Sequence, residues 1–352
     1  MTETSGGSPR PTTMRRATVT APGEVSVLQT RVPEVGPQDV LVKVRACGIC
    51  GSDTFYISLG GIPPRQGDTP LGHEPAGEVV AVGAEVAGIA VGAHVVINPM
   101  AAPSGIIGNG GSTGALADYL LIENAEVGRS LAVVPDHIPF EVAALNEPMA
   151  VARHAVNRVN PKPGDRVVVF GAGPIGLGAA IGFKAAGVES VVVVDIVPSR
   201  LEKALLVGAD GVIDLAEEDV VARLIELQGA APSRRGEAKP ATDIYLDAAG
   251  APAVIATALG AAKHGATLGV VAVHKKPVEV DFGAILGAEL TIVTAMGYPH
   301  EIFEVTDDIV ANWETYQHII SDRFAFDDVE TALVMAGTPR AADKVMVTFD
   351  GE

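Results

Sequence analysis

The run Val167-Val168-Val169-Phe170 passes directly into Gly171-Ala172-Gly173-Pro174-Ile175-Gly176 and then into an alanine-rich stretch of helical character. Strand, G-x-G-x-x-G turn and helix in that order commit this part of the chain to a βαβ unit of a parallel sheet. Each glycine answers a separate demand. The first allows the tight turn, the second lets a pyrophosphate approach the backbone, and the third lets helix and strand pack closely. A phosphate then rests on the helix N-terminus, where unpaired N–H groups and the helix dipole attract it.

In a chain with 40 glycines, G-x-G-x-x-G alone is a weak signal. Here a second strand, Val191 to Val194, ends in Asp195, about 20 residues past the glycines, where a ribose-binding acid belongs. Asp195 suits the two ribose hydroxyls of NAD and repels the 2′-phosphate of NADP. Its alternative role is a helix-capping carboxylate in DIVPSR. Arg200 pulls the other way, because a nearby Arg accommodates a 2′-phosphate; with Asp195 present it is assigned a course along the adenosine. The cofactor-binding set is Gly171, Gly173, Pro174, Ile175, Gly176, Asp195 and Arg200, and the expected cofactor is NAD.

At 352 residues the chain exceeds what one hydrophobic core organises. From Arg16 to about Gly92 the runs ATVT, VSVLQTRV, DVLVKVRA, AGEVVAVG and AHVVI are bounded by Gly, Pro and Asp, the pattern of a compact β domain. The uncharged, Gly-rich stretch from Asn98 to Gly114 reads as a loop, after which YLLIE and LAVVP resume the strands. Beyond Pro161-Lys162-Pro163-Gly164-Asp165 the strands VVVF, VVVVD, GVID, DIYLDA and ATLGVVAV alternate with helical stretches such as PSRLEKALLVG. That alternation predicts a doubly wound parallel sheet covered on both faces, and so an α/β chain. The expected organisation is a disordered tail over 1–14, a β-rich catalytic domain over 15–157, a dinucleotide-binding domain over 158–294, and a return to the first domain over 295–352.

A formal charge of -18 argues against nucleic acid, whose phosphates require clustered Lys and Arg. It also argues against an acidic membrane surface, and its plain reading is solubility. Only Cys47 and Cys50 are present, too few for a secreted disulfide framework, so a cytoplasmic location is expected. The first residues lack the apolar core of a signal peptide. Val167 to Phe183 carries no charge but is too short for a typical membrane span.

In the β-rich part stand Cys50-Gly51-Ser52-Asp53, then Gly72-His73-Glu74, and later Asn146-Glu147-Pro148. Thiolate, imidazole and carboxylate form a zinc-binding set, and fewer than four tight protein ligands leave a position for substrate. Singly, each residue is ordinary: a His-Glu pair is usually polar detail, and a strand-end Cys is usually a small buried hydrophobe. Cys47 with Cys50 forms a C-x-x-C, but no second pair completes a structural zinc site and no thioredoxin-like helix follows. Cys47 reads as core.

These residues carry a resemblance. Gly72-His73-Glu74, Gly77, Gly83 and Val86 reproduce the spacing of the zinc-containing alcohol dehydrogenase signature, and C-G-I-C-G-S-D resembles the segment before it in the sorbitol and butanediol dehydrogenase branch. ALNEPMAVARHAV and VAVHKKPVEVDFGAIL resemble two later segments of that branch, so the likeness runs from Arg16 almost to the end. It implies a GroES-like catalytic domain beside a Rossmann domain, a homodimer or homotetramer, and zinc ligation by Cys50 and His73, with Glu74 and Glu147 sharing the carboxylate position. The activity implied is hydride transfer between a secondary alcohol or diol, or the corresponding ketone, and NAD(H). Zinc acts there as Lewis acid on the substrate oxygen.

The chain departs from the family in three places. MAAPSGIIGNGGSTGALADY lacks the four cysteines of the structural zinc lobe, so one catalytic zinc is expected. Phe55 replaces the proton-relay His five residues after the zinc Cys. Gly297 stands where polyol dehydrogenases carry an Arg, which weakens the case for a polyol and makes Phe55, Met296 and Tyr298 a candidate pocket for a less polar alcohol or ketone. Ser52 is the candidate for taking the hydroxyl proton, or else a turn Ser before Asp53. Asp53 is expected to position Cys50, and His154 to be structural. Two competing readings remain at this level: a zinc-free quinone or enone reductase of the same superfamily, and a non-catalytic NAD-binding protein.

Overall fold

A computed structural model describes residues 11–63, 67–231 and 238–349. These fall into two compact units. One holds the described residues up to Ala144, Arg323–Gly337 and those from Met346; the other holds Leu145–Asp322 and Thr338–Val345.

The first unit is β-rich. Its larger sheet runs in the order Asp322–Ala325, Val345–Thr348, Val40–Gly48, Glu74–Val82, His94–Ile97 and Leu131–Val134, with Tyr119–Ile122 also paired to Val40–Gly48. Val40–Gly48 is central and covered on both faces, with Val40, Leu41 and Val42 all removed from solvent. This explains why its first three residues are an unbroken apolar run, with polar residues entering only at the half-buried Lys43 and Arg45. A smaller sheet joins Glu24–Arg31, Thr13–Ala21 and Thr69–Pro70. Thr13 and Met14 are therefore strand, opposite Arg31 and Thr30, and not tail. Residues 1–10 of the expected tail lie outside the described residues.

The second unit carries a six-stranded parallel sheet in the order Gly211–Asp214, Ser190–Asp195, Arg166–Phe170, Ile244–Asp247, Thr267–Val270 and Thr291–Thr294. The chain reverses direction across the sheet at Arg166–Phe170, the switch point at which open α/β sheets bind ligands. Apolar strand residues such as Val168, Phe170, Val192 and Tyr245 pack with Leu224 and Ile255 in one buried cluster. The uncharged Val167–Phe183 run divides into strand, turn and the helix Pro174–Ala185. Among the described residues no helix is long and apolar enough to cross a membrane.

The boundary expected at 158 falls instead at Leu145. The helix Asn146–Val159 packs on Pro174–Ala185, which approaches closely because a Cβ at Gly178 would meet Met149 Sδ at 2.6 Å. Residues beyond 295 also stay with this unit as far as Asp322. Asn146 holds them, its Nδ2 donating to the Ile302 carbonyl at 2.6 Å and its Oδ1 accepting from Thr306 Oγ1 at 2.7 Å, while Arg153 pairs with Asp308 at 2.7 Å.

Candidate active site

In the first unit, Val40–Gly48 and Glu74–Val82 run antiparallel with Gly48 opposite Glu74. The chain leaving one strand reaches Cys50 two residues later, and the chain entering the other has just passed His73. Two segments distant in sequence thus meet at one strand end. Cys50, His73 and Glu74 offer ligand atoms that all lie within 4.8 Å of one another. His73 and Glu74 are buried, at 5% and 2% exposure. A buried imidazole and carboxylate beside a thiol form a donor set suited to zinc, whose site is tetrahedral and prefers N, S and O ligands.

Local geometry fixes the trio. Cys50 is the N-cap of the helix Gly51–Leu59, and the Asp53 carboxylate, in that helix's first turn, accepts the Cys50 N–H at 2.9 Å. The other Asp53 oxygen faces the Gly72 N–H at 3.4 Å and lies 3.6 Å from His73 Nδ1. Asp53 is fully buried and therefore ties both ligand-bearing segments to one carboxylate. At 3.6 Å the His73 contact is electrostatic rather than a hydrogen bond, and Nδ1 has no hydrogen-bond partner. Burial opposes a charge on this ring, but the charges of Asp53 and Cys50 outweigh it and hold the imidazole well above the usual histidine range.

Gly72 is obligatory. Its φ is +87°, and a Cβ there would stand 2.6 Å from the Leu116 nitrogen and 3.0 Å from Cys47 Sγ. Cys47 is completely buried, and burial pushes its thiol far up, as befits an inert core residue.

Ser52 lies in the first turn of the Gly51–Leu59 helix, and Tyr56 stands one turn on. The Tyr56 hydroxyl donates to Asn109 Oδ1 at 2.7 Å. Burial raises the phenol above its ordinary value, while the charge on His73 and the Ser52 hydroxyl act against that rise. The sequence reading missed Tyr56; its i+4 spacing from Ser52 was the available signal once a helix was assumed. Asn109, from the Gly-rich loop, had no such signal.

In the second unit the glycines separate by cause. Gly171 has φ +99°, and a Cβ at Gly176 would collide with the Gly171 carbonyl oxygen, so the fold itself requires both. A Cβ at Gly173 would meet nothing within 4 Å. Protein packing thus leaves open the space over Gly173, the N-cap of the helix that begins at Pro174 and Ile175, where a helix N-terminus favours an anion. Asp195 ends its strand beside this turn. It accepts N–H bonds from Ala172 at 2.7 Å, Ile196 at 2.7 Å and Val197 at 2.9 Å. Of the roughly four lone-pair directions a carboxylate offers, one remains. Arg200 is engaged by Asp343 at 2.5 Å and the Ala342 carbonyl at 3.3 Å, which hold its guanidinium in place within the unit.

The remaining assignments scatter. Glu147 lies in the first turn of Asn146–Val159, in the second unit. His154, on the same helix, bonds Glu301 at 2.9 Å. Phe55 is half-exposed in the first unit. Met296 is 82% exposed whereas Tyr298 is buried at 5%, so two residues expected to line one pocket have opposite surroundings.

A β-rich unit with a buried Cys–His–Glu trio and a doubly wound unit with a dinucleotide turn define the architecture of a metal-dependent dehydrogenase. The chain belongs to the zinc-binding dehydrogenase family: residues 36–135 match the alcohol dehydrogenase GroES-like domain and residues 174–312 the zinc-binding dehydrogenase domain. It is 29% identical over 347 residues to sorbitol dehydrogenase of Bacillus subtilis, covering 93% of this chain and 94% of that one. To (R,R)-butanediol dehydrogenase of the same organism it is 30% identical over 329 residues, covering 87% and 91%. The crystal structure of 2R,3R-butanediol dehydrogenase from Bacillus subtilis superposes with a TM-score of 0.83 at 28% identity, covering 96% of this chain and all of that one.

Proposed function

We propose that this chain is a zinc-dependent oxidoreductase that transfers hydride between a secondary alcohol or diol, or the corresponding ketone, and NAD(H). The convergence of Cys50, His73 and Glu74 carries the reading. These three residues, joined by Glu147, are the proposed ligands, with Glu74 and Glu147 sharing the carboxylate position. Zinc there supplies Lewis acidity toward an alcohol or carbonyl oxygen, and NAD supplies the hydride acceptor.

The chain's own groups do the rest. Asp53 orients Cys50 and the Gly72-His73 turn, and with Nδ1 turned toward Asp53 the other His73 nitrogen is left for the metal. Ser52 Oγ accepts the substrate hydroxyl proton as it passes its own toward the cofactor ribose. Tyr56, one helical turn beyond Ser52 and anchored by Asn109, stands beside Phe55, which occupies the position of the family's relay histidine. The open face above Gly173 receives the pyrophosphate. Asp195, with one direction free, accepts a ribose hydroxyl and disfavours a 2′-phosphate.

A homodimer or homotetramer and a cytoplasmic location complete the proposal. Thr291–Thr294 ends the parallel sheet with an open edge, and Phe282, Leu286 and Ile292 near it in sequence are exposed, a liability that self-association would cover. Both cysteines are free thiols, as a reducing compartment requires.

The test is a panel of secondary alcohols, diols, polyols and ketones assayed with NAD, NADP and their reduced forms. Zinc-dependent turnover of a secondary alcohol with NAD is expected. NADH binding with no turnover across the panel would favour a non-catalytic protein, and full activity without zinc a zinc-free reductase.

A further inference from the structure

The helix Pro198–Leu206 follows Asp195 after Ile196 and Val197, and it carries Arg200 and Lys203 three positions apart, on one face. Backbone bonds tie its start to the ribose acid: the Val197 N–H donates to Asp195 at 2.9 Å, and the Val197 carbonyl accepts the Arg200 N–H at 3.0 Å. Both cations then converge on one carboxylate. Arg200 Nε donates to Asp343 Oδ1 at 2.5 Å and its Nη2 to the Ala342 carbonyl at 3.3 Å, while Lys203 Nζ donates to Asp343 Oδ2 at 2.6 Å.

Asp343 comes from the far end of the chain and is fixed where it stands. Its own N–H and that of Lys344 donate to Ser321 Oγ at 2.9 and 3.1 Å, and the Lys344 carbonyl accepts the Ser321 N–H at 2.9 Å. Ser321 and Thr338–Val345 belong to the same unit as the dinucleotide turn. Burial opposes a charge on Asp343, but Lys203 and Arg200 outweigh it and hold the carboxyl below the usual carboxylate range. The cluster is not sealed. The Arg200 and Lys203 side chains keep 21% and 18% of their surface exposed, so a ligand can reach them.

An arginine near the ribose acid is what allows a dinucleotide site to accept a 2′-phosphate. Here such a cation is in place with a second beside it, and Asp195 is a blunted barrier, because three backbone N–H groups already answer its charge. We propose that Asp343 is a specificity-determining residue of the cofactor site: by engaging Arg200 and Lys203 it withholds both cations from a 2′-phosphate and so excludes NADP. The inference rests on the NAD reading above. With Asp195 and Asp343 set against Arg200 and Lys203 the four charges balance, and a phosphate bringing about two negative charges meets no uncompensated cation among them.

The test is calorimetric binding of NADH, NADPH, adenosine 5′-phosphate and adenosine 2′,5′-bisphosphate. Asp343→Asn keeps the side chain's shape and removes its charge, with Asp343→Ser as the second variant should thermal melts show that the first does not fold. Either is expected to tighten NADPH relative to NADH about tenfold, the worth of one hydrogen bond to a charged group. The same gain is expected for the bisphosphate over the monophosphate, because the 2′-phosphate belongs to the adenosine half. Adding Arg200→Gln and Lys203→Gln to the Asp343 variant should abolish it. A folded Asp343 variant with an unchanged NADPH to NADH ratio, or a gain that survives loss of both cations, overturns the proposal and leaves the NAD reading intact. Wild-type protein that binds NADPH as tightly as NADH contradicts the exclusion and the NAD preference together. Wild-type protein that binds neither removes the dinucleotide reading, and the proposal with it.

Discussion

Two glycine-dependent turns serve the two halves of the proposed reaction, and they need glycine for opposite reasons. At Gly72 the protein fills the space a side chain would take, with Leu116 and Cys47 against it and φ at +87°. At Gly173 nothing stands within 4 Å of that space. The metal turn is therefore built by packing and exists before any ligand arrives. The dinucleotide turn is built by packing at Gly171 and Gly176 only, and leaves its middle glycine to the ligand. A glycine's role is thus read from its surroundings and its φ together: Gly72 is both crowded and at positive φ, whereas Gly173 is open and at an ordinary φ of −74°, so nothing in the fold itself requires glycine there.

The sharpest break of this contrast is on the metal side. Cys50→Ser should lower turnover by about a thousandfold, since a catalytic metal contributes several kcal/mol to the barrier, while circular dichroism stays native; retained activity would remove Cys50 from the site. Gly72→Ala should cost about 3–5 kcal/mol in chemical denaturation through overpacking and a strained φ. Gly173→Ala should cost under about 1 kcal/mol, as expected for an N-cap change, yet weaken NADH about tenfold or more. If the two alanine variants lose stability equally, the distinction fails. Asp53→Asn should reduce zinc affinity by about 10–100-fold in a chelator competition, as changes at groups orienting metal ligands do.

The smallest effect concerns pH. In metal-free protein the ring of His73 is opposed by burial but held charged by Asp53 and Cys50, so its proton persists above the usual range. Zinc must displace that proton, so its affinity should rise with pH above about 6.5, the ordinary histidine value, until the raised value is passed. The sign for folding is the reverse. A raised folded-state value gives the metal-free protein stability that is complete below about pH 6.5 and lost as pH rises through the raised value. Zinc titrations and melts across that window report both slopes, and pH-independent zinc affinity would contradict the assignment.

Most strands were readable because burial on both faces leaves unbroken valine runs, as in Val167–Phe170 and Val191–Val194. Thr291–Thr294, though made of strand formers, escaped because it is short and largely exposed at the sheet edge, without the long buried valine run of its neighbours. The helix Gly51–Leu59 was legible only as a turn, since GSDTFYISL contains few strong helix formers and its cap is a cysteine. That omission concealed the Ser52–Tyr56 relation. The zinc trio was legible through family spacing, whereas the role of Asp53 in joining both segments depends on strand register.

The central claim is that Cys50, His73 and Glu74 hold a zinc ion that the reaction requires. Purified protein stripped with a chelator should lose zinc and alcohol oxidation in proportion, regain both on addition of one equivalent of zinc, and show neither recovery in Cys50→Ser. Undiminished turnover by zinc-free protein, or zinc bound equally well by Cys50→Ser, would contradict the account.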